Sequence, residues 1–415
     1  MLSSYRQIFA APGTLAFSSS GFIARLPISM TGIGIVTMLA VLRGSFGLAG
    51  AVSAVVALSA AVLGPQVSRL VDRYGQRRVT LPATAATLLA AGALLLCARF
   101  DAPAWTLFVC GAGMGVMPSA GSMVRARWAY LYSAEPPKLH TAYSFEAVVD
   151  EVCFIVGPIL SIGLATAVFP EAGLLLAGVF LGVGVLLFTA QRRTEPPVHP
   201  AAHHRGSSAI TSAGLQVLVL TFVATGAIFG SVEVVTVAFA KAQGHTSVSS
   251  LVLAVYALGS CLAGVVFGTL KPKGSMPVRF LAGVAVMAAS MVPLVLVAST
   301  LRGTAGLAGI GAALFLAGLS ISPTLITAMA LVERLVPAAQ LTEGMTWTTT
   351  GLALGVALGS SAAGWVVDAA GAAAGYWVPV AAAGFAALVA LAGLSRLRGG
   401  LVPSEPELTE SSLPG

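Results

Sequence analysis

The sequence predicts an all-α integral membrane protein in which twelve transmembrane helices form two pseudo-symmetric bundles of six. Of its 415 residues, 57% are hydrophobic and only 9% are Asp, Glu, Lys or Arg, whereas soluble domains carry about 25% charged residues. Apolar stretches long enough to cross about 30 Å of hydrocarbon recur twelve times. The mean hydropathy of +0.93 excludes a soluble enzyme, a nucleic-acid binder and a disordered chain.

The spans are continuous apolar runs, which differ from the alternating pattern of barrel strands. The first run is too long for the hydrophobic region of a signal peptide, so we interpret it as a retained first span. The predicted limits are 13–41, 47–69, 79–99, 104–128, 142–168, 171–190, 213–240, 248–270, 277–299, 303–332, 342–367 and 374–395.

Lys and Arg in the connections predict the orientation. With the N-terminus inside, 17 basic residues lie on the inner side and 4 on the outer side. By the positive-inside rule, both termini are expected in the cytoplasm and the protein in the cytoplasmic (inner) membrane, crossing it many times. This bias also accounts for the net charge of +7 without a nucleic-acid partner.

A long polar connection divides the spans six and six. It predicts an N-terminal six-helix bundle over 1–190, a cytoplasmic linker over 191–212, a C-terminal bundle over 213–395 and a cytoplasmic tail over 396–415. A weak internal repeat supports this division, because Gly21 and Gly226, like Pro118 and Pro323, are separated by 205 residues. Such repeats are typical of secondary transporters, whose substrate site lies between the repeats.

Motifs of enzymes and metal sites are missing from the sequence. The four cysteines lie in apolar runs without a C-x-x-C pair, and the histidines of the linker have no acidic or cysteine partner nearby. We therefore expect no metal site and no cofactor. The sequence has no P-loop, no H-E-x-x-H and no G-x-S-x-G, so we expect neither an enzyme nor ATP-driven transport.

The connection between spans 2 and 3 carries the sharpest motif, SRLVDRYGQRR at residues 68–78. Its acid can bind the free amides at a helix N-terminus, and its glycine permits a turn. The run resembles the loop signature G-x-L-a-D-R-x-G-R-R-x of the major facilitator superfamily, from which Ser68 and Gln76 depart. The positions that match are Asp72, Arg73, Gly75 and Arg77.

The resemblance implies a transporter that works by alternating access and is usually monomeric. It also implies that the loop latches the two halves together, with the start of span 11 near Thr342 as the partner of Asp72. The residues of this predicted latch are Asp72, Arg73, Gly75, Arg77 and Arg78. The alternative is that the arginines only fix the topology. The superfamily's basic residue in span 4 is missing and Gly157-Pro158 matches an exporter motif only in part, which leaves the direction of transport open.

Ionisable residues inside the spans are functional candidates, because a charge in the membrane is costly. Arg25 lies in the middle of span 1 and stays charged, so it can bind an anionic substrate or a nearby acid but cannot carry a proton. Since spans 1 and 5 are neighbours in the resembled fold, Arg25 is expected to pair with Asp150 or Glu151.

Two further arginines lie at the inner end of span 4. Arg125 and Arg127 are candidate partners for Glu146 of span 5. The alternative to a functional role is a buried ion-pair network that holds spans 1, 4 and 5 together, in which an orphaned charge would be costly.

Glu233 lies in the outer half of span 7 and is the candidate proton carrier. Across the 205-residue repeat Glu233 is equivalent to Ile28, which lies one helical turn outward from Arg25. Glu233 is therefore expected to face the central cavity. Buried carboxylates in clefts are typical proton-transfer groups. The alternative is that Glu233 lies near the outer opening of the cavity, where it pairs with Lys241 or is hydrated.

These observations favour proton-coupled export (antiport) of a small organic compound. The expected partners are a small-molecule substrate, the lipid bilayer and protons. A first alternative is an uptake symporter for an anionic metabolite, with Arg25 as its clamp. A second, less favoured alternative is a membrane sensor that transports nothing.

Overall fold

The structure, a computed structural model, describes residues 2–198, 208–245, 248–270 and 274–400. The regular structure in these ranges is helical, as predicted. The predicted tail beyond 400 and the middle of the predicted linker, 199–207, lie outside the described residues. The helices are α1 (Leu2–Ile8), α2 (Thr14–Arg25), α3 (Pro27–Leu42), α4 (Phe46–Tyr74), α5 (Gln76–Arg99), α6 (Ala104–Met114), α7 (Ala120–Tyr132), α8 (Pro136–Ala167), α9 (Ala172–Ala190), α10 (Ala213–Ala242), α11 (Ser249–Phe267), α12 (Met276–Thr300), α13 (Gly303–Leu335), α14 (Leu341–Ala370), α15 (Ala372–Gly375), α16 (Trp377–Ala392) and α17 (Leu394–Gly399).

Within the described residues, eleven helical segments are long and apolar enough to cross a membrane, one fewer than the sequence predicts. The difference is the predicted span 104–128, which is split into α6 and α7 by the non-helical residues 115–119. Helix α6 has only 11 residues, a length of about 16 Å. The prediction of a continuous helix over 104–128 was therefore wrong.

The interruption has a local cause in the sequence. Pro118 has no amide to donate and its ring crowds the preceding turn, and three glycines precede it, each a weak helix former. Gly115 lies so close to α4 that a Cβ built there would be 2.1 Å from the hydroxyl of Ser59. That hydroxyl donates to the carbonyl of Ala112 at 2.6 Å, which replaces part of the lost helical bonding.

Span 1 also has a junction near its middle. Helix α2 ends at Arg25 and α3 begins at Pro27, where the ring fixes φ at a helical value. The amide of Leu26 still donates to Phe22 at 3.2 Å, so the two helices continue as one apolar segment. The junction places the guanidinium of Arg25 beside α8.

We call residues 2–198 the first half and residues 208–400 the second half. The main contacts between the halves join α4 with α14, α8 with α11 and α13, and α7 with α14. Among the described residues, the hydrogen bonds between the halves lie toward the end of the molecule that carries the 74–76 turn and the described parts of the connection 191–212. We call this the linker end.

In the second half, α10 and α14 pack through their backbones. A Cβ on Gly355 of α14 would be 1.9 Å from the carbonyl oxygen of Val223, and one on Gly226 of α10 would be 2.0 Å from that of Leu352. Small residues that let backbones touch in this way are a main source of helix association in membranes.

Candidate functional site

The carboxylate of Asp72 binds the N-terminus of α14 in the opposite half. One oxygen accepts the amide of Thr342 at 3.2 Å and the other accepts the amide of Glu343 at 2.9 Å. These amides lie in the first turn of α14, where no helical carbonyl is available and the helix dipole favours an anion. Asp72 thus caps a helix that the other half supplies.

The turn after Asp72 depends on Gly75, which has φ +92°, a value that favours glycine. A Cβ at Gly75 would also lie 3.4 Å from a carboxylate oxygen of Glu195. That same oxygen accepts the amide of Arg77 at 3.0 Å. The side chains of Arg73, Arg77 and Arg78 are exposed at the linker end.

The structure explains why glutamine occupies position 76. The amide oxygen of Gln76 accepts the Nε of Arg127 at 2.8 Å, and its NH₂ group donates to the carbonyl of Met123 at 3.2 Å. Both side chains are buried. An arginine at this position, as in the loop signature, would place a second buried guanidinium against Arg127, which the glutamine avoids.

Arg127 does not pair with Glu146, which corrects the expectation from the sequence. Its guanidinium donates to the carbonyls of Gln191 (2.8 Å) and Phe188 (3.1 Å) and to the hydroxyl of Thr194 (2.8 Å). It also lies 3.9 Å from the ring centre of Phe188, a cation–π arrangement. Arg127 therefore fastens the start of the connection 191–212 to the first half.

A cluster of four charges lies between α2, α7 and α8. Arg25 pairs with Glu146 (Nη2 to Oε2, 2.5 Å) and with Asp150 (Nη1 to Oδ1, 2.8 Å). Arg125 pairs with the second oxygen of Asp150. The two arginines and two carboxylates balance, which is the condition under which buried charges are tolerated.

The detailed pairing differs from the sequence expectation. Glu146 is bound by Arg25 and by the indole of Trp128 (Nε1 to Oε1, 2.7 Å), whereas Arg125 binds Asp150. Glu151, the other expected partner of Arg25, lies outside the cluster. The side chains of Arg25 and Glu146 are 4% and 1% exposed, but that of Asp150 is 32% exposed.

Glu151 instead contacts the second half. The hydroxyl of Ser260 on α11 donates to its carboxylate at 2.6 Å. Ser260 also lies 2.8 Å from the hydroxyl of Ser322 on α13. The sequence interpretation missed both serines because isolated serines in apolar runs carry no pattern.

Other hydrogen bonds between the halves were also missed. Thr346 of α14 lies 2.8 Å from the hydroxyl of Ser68 and 3.0 Å from that of Ser122. Nearer the linker end, α8 binds the second half through His140, Thr141 and Tyr143; the partners are the carbonyl of Phe267 (2.8 Å), the carbonyl of Gly268 (2.8 Å) and the carboxylate of Glu333 (3.2 Å).

Helix α1, which precedes the spans, adds a contact with the second half. The hydroxyl of Tyr5 donates to the carbonyl of Val265 on α11 at 3.0 Å. Burial raises the pKa of Tyr5 to about 12, so the phenol keeps its proton and remains a donor at neutral pH.

Glu233 is exposed on α10. Among the described residues it makes no ion pair with Arg25, whose two Nη atoms bind Glu146 and Asp150, nor with Lys241. The same part of the chain contains no group of three or more His, Cys, Asp or Glu side chains able to hold a metal ion.

Comparison with known proteins defines the class. The sequence model of the Major Facilitator Superfamily matches residues 17–314, more than half of the chain, and the protein belongs to this superfamily. The family indicates a membrane transporter rather than an enzyme. No curated protein sequence matches the chain.

Solved structures share the fold at low sequence identity. A bacterial homologue of the iron transporter ferroportin, in an outward-facing state, superposes with a TM-score of 0.73 at 18% identity, covering 93% of this chain and 100% of that one. The human organic anion transporter TETRAN gives 0.66 at 15% identity, with 93% and 100% covered. FucP, a fucose:proton symporter of E. coli, gives 0.68 in its outward conformation at 12% identity, with 92% and 98% covered.

Proposed function

We propose that the protein is a secondary active transporter that works by alternating access. Two six-helix bundles, 1–190 and 213–395, rock around a central site, and α6 and α7 together make the twelfth crossing. The observation that carries this proposal is that the hydrogen bonds between the described parts of the halves gather at the linker end. Asp72 and the α14 N-terminus lie there, and this contact must break before that end opens.

We place the linker end in the cytoplasm, with both termini. The exposed Arg73, Arg77 and Arg78 at this end support the orientation through the positive-inside rule. The protein is then an inner-membrane protein, and the described state is closed toward the cytoplasm. The outward-facing states of the ferroportin homologue and FucP are consistent with this assignment.

The latch is tested with Asp72→Asn. The neutral side chain of asparagine has a single acceptor oxygen, so it cannot accept both backbone N–H groups as the carboxylate does. The loss of a helix cap costs roughly 1–2 kcal/mol. We expect the initial rate of transport to fall about tenfold, which is the effect of 1.4 kcal/mol, while membrane insertion is unchanged. Asp368→Asn, at the exposed opposite end of α14, is the matched control. Normal transport by Asp72→Asn would contradict the latch.

The transported class is a small organic compound, exported in exchange for protons. The charge cluster supports this choice over an anion, because both Nη atoms of Arg25 bind carboxylates of the protein and the cluster is neutral. Glu233 supports proton coupling, because it is an exposed acid without an ion pair in the described chain. Specificity then rests on uncharged cavity side chains.

The alternative of uptake of an anionic metabolite has one observation in its favour. Asp150 is 32% exposed, so a ligand can reach the cluster and compete for Arg25 or Arg125. An anion that displaces Asp150 would turn the cluster into a clamp.

Liposomes that contain the purified protein and an internal pH indicator distinguish these possibilities. An outward-directed gradient of a lipophilic neutral or cationic compound should drive protons in the opposite direction. Proton movement in the same direction as an anionic compound would support the symporter instead. No proton movement with any compound would contradict proton coupling.

Glu233→Gln tests the proton carrier in the same assay. We expect the pH dependence of transport to flatten, because the amide cannot bind a proton. Glu233→Asp, which keeps the carboxylate, is the control. An unchanged pH profile in Glu233→Gln would exclude Glu233 from this role.

A further inference from the structure

Glu151 is set apart from the other acids of α8 by its partners. Glu146 and Asp150 bind arginines of their own half, whereas Glu151 accepts a hydrogen bond from the neutral hydroxyl of Ser260 in the other half. Among the described residues, no Lys or Arg lies within ion-pair distance of Glu151. Its charge is therefore not balanced by a neighbour.

The surroundings of Glu151 contain further polar groups from the second half. Tyr256 lies one turn before Ser260 on the same face of α11, 9% exposed, and its hydroxyl has no hydrogen-bond partner in the described chain. Ser322 contacts Ser260 from α13 at 2.8 Å. The other titratable groups facing this point are Cys261 of α11 and Asp150, which is held by its two arginines.

A continuous line of contacts, which we call the seam, joins α8 to α11, and the Glu151–Ser260 contact lies at the end of this seam that is farthest from the linker end. The seam begins at the linker end with the bond from Thr141 to the carbonyl of Gly268. It continues where Val148 packs against Gly264 and ends at Glu151 and Ser260. Because the seam is continuous, opening the linker end requires Glu151 to leave Ser260.

We propose that Glu151 is a second proton-binding site, distinct from the proposed carrier Glu233, and that it links protonation to closure of the linker end. In the closed state Glu151 is only partly exposed and has one neutral hydroxyl as its described partner, so its protonated form is favoured there, since a charge partly withdrawn from water without a cation beside it is costly. When the seam opens, water reaches the carboxylate and the proton leaves. Protons thus stabilise the closed state, and the inference deepens the proposed proton-coupled transport, on which its role in transport rests.

Hydrogen–deuterium exchange of the intact protein in lipid nanodiscs tests this coupling without substrate. Exchange in the linker-end parts of α8 and α11, corrected for the intrinsic rate, should rise about tenfold from pH 5.5 to 8.5. That ratio results when the closed state binds the proton about ten times more tightly than the open state. Glu151→Gln should stay protected across this range, because its amide still accepts the Ser260 hydroxyl.

Ser260→Ala should enlarge the pH effect, because it removes the one hydroxyl that, within the described part of the chain, donates to the charged form in the closed state. Glu333→Gln is the matched control, since Glu333 also accepts a hydroxyl from the opposite half, that of Tyr143. His140→Gln controls for the one histidine of the seam. Both controls should keep the wild-type pH dependence.

A wild-type protein whose exchange is independent of pH would overturn the inference, as would Glu151→Gln with the wild-type pH dependence. A pH effect lost only in a control variant would overturn it too. If the pH effect depends on Glu151 but liposomes show no proton-coupled transport, the proposed function fails and the inference stands. The two failures are therefore distinguishable.

Discussion

Two helix contacts that the internal repeat relates are held in different ways, one by charged side chains and the other by close backbone packing at glycines. Helix α8 packs on α2 and α3 of the first half, and α14 packs on α10 of the second half. Helices α8 and α14 begin at Pro136 and Leu341, 205 residues apart, which is the spacing of the repeat. At this spacing Glu146 and Asp150 correspond to Gly351 and Gly355.

The difference between charged and backbone contacts shows which of the two helix contacts has a side chain that a ligand can reach. The glycine pair brings two backbones together, with Gly355 packed on the carbonyl of Val223, and it has no ionisable group at the contact. The charged pair contains Asp150, which is 32% exposed and can exchange partners. The glycine contact is therefore fixed by close backbone packing, whereas the charged contact includes a side chain that solvent can reach.

Glu146→Gln should have the largest effect on this comparison. The change leaves one more positive than negative charge in a cluster whose Arg25 is only 4% exposed. Breaking a buried ion pair in this way costs roughly 3–5 kcal/mol of unfolding free energy. An SDS titration of the purified protein measures the loss. The exposed Glu135, which pairs with Lys138, provides the control Glu135→Gln, and equal stability of the two variants would contradict the importance of the charged pair.

Gly355→Ala should break the other pair. The added methyl group would lie 1.9 Å from the carbonyl oxygen of Val223, so the backbones must separate, at a cost of about 1–3 kcal/mol. Gly364→Ala on the same helix meets no atom within 4 Å and should be neutral or stabilising, because alanine is the better helix former. Thermal unfolding in detergent should show a lower midpoint for Gly355→Ala and an unchanged or higher one for Gly364→Ala, and a stable Gly355→Ala would refute the backbone contact.

The double variant Arg25→Gln with Glu146→Gln sharpens the interpretation of the cluster. It removes one charge of each sign and leaves Arg125 with Asp150, so the balance is restored. We expect a loss of only about 1–2 kcal/mol, less than for Glu146→Gln alone, since replacing both partners is milder than orphaning one. If the single losses simply add in an SDS titration, the two residues are not coupled.

Ser29→Ala should have the smallest effect. The hydroxyl of Ser29 donates to the carbonyl of Cys153 on α8 at 2.8 Å, a neutral contact of the charged pair. Its loss should cost about 1 kcal/mol, seen as a small shift in the thermal midpoint. A loss as large as that of Glu146→Gln would show that neutral contacts, rather than charges, hold this pair.

The sequence predicted the features that depend on long patterns. Apolar runs are set by the thickness of the bilayer, so the helical class and the limits of most spans could be predicted. The contact of Asp72 with the start of α14 near Thr342 was predicted from the resemblance of the loop to a family motif, rather than from the periodicity of apolar residues. The two-bundle arrangement remains a proposal.

Features that depend on single contacts could not be predicted in the same way. The break in span 4 lies at Pro118 and the glycines before it and is accompanied by the close contact of Gly115 with Ser59, whereas Pro323, the repeat equivalent of Pro118, stays inside the continuous α13. Three glycines before Pro118 were the available signal.

The arginine pairing also had a signal that was not used. Arg125 and Arg127 are two residues apart, and side chains at this spacing lie on different faces of a helix. They could not both have bound Glu146. One partner of Arg127 is Gln76, at a position where this chain departs from the loop signature, and its other partners lie at the end of α9 and just beyond it.

The described parts of the connection 191–212 each stay with their own half. Its beginning is bound by Arg127 and through Glu195, both contacts within the first half. Its end is bound to the second half, where Glu343 accepts the amide of Ala209 at 3.1 Å. A gene split within 199–207 would therefore yield two polypeptides that each keep their anchored piece of the connection. We expect the two products to assemble in the membrane through the linker-end contacts.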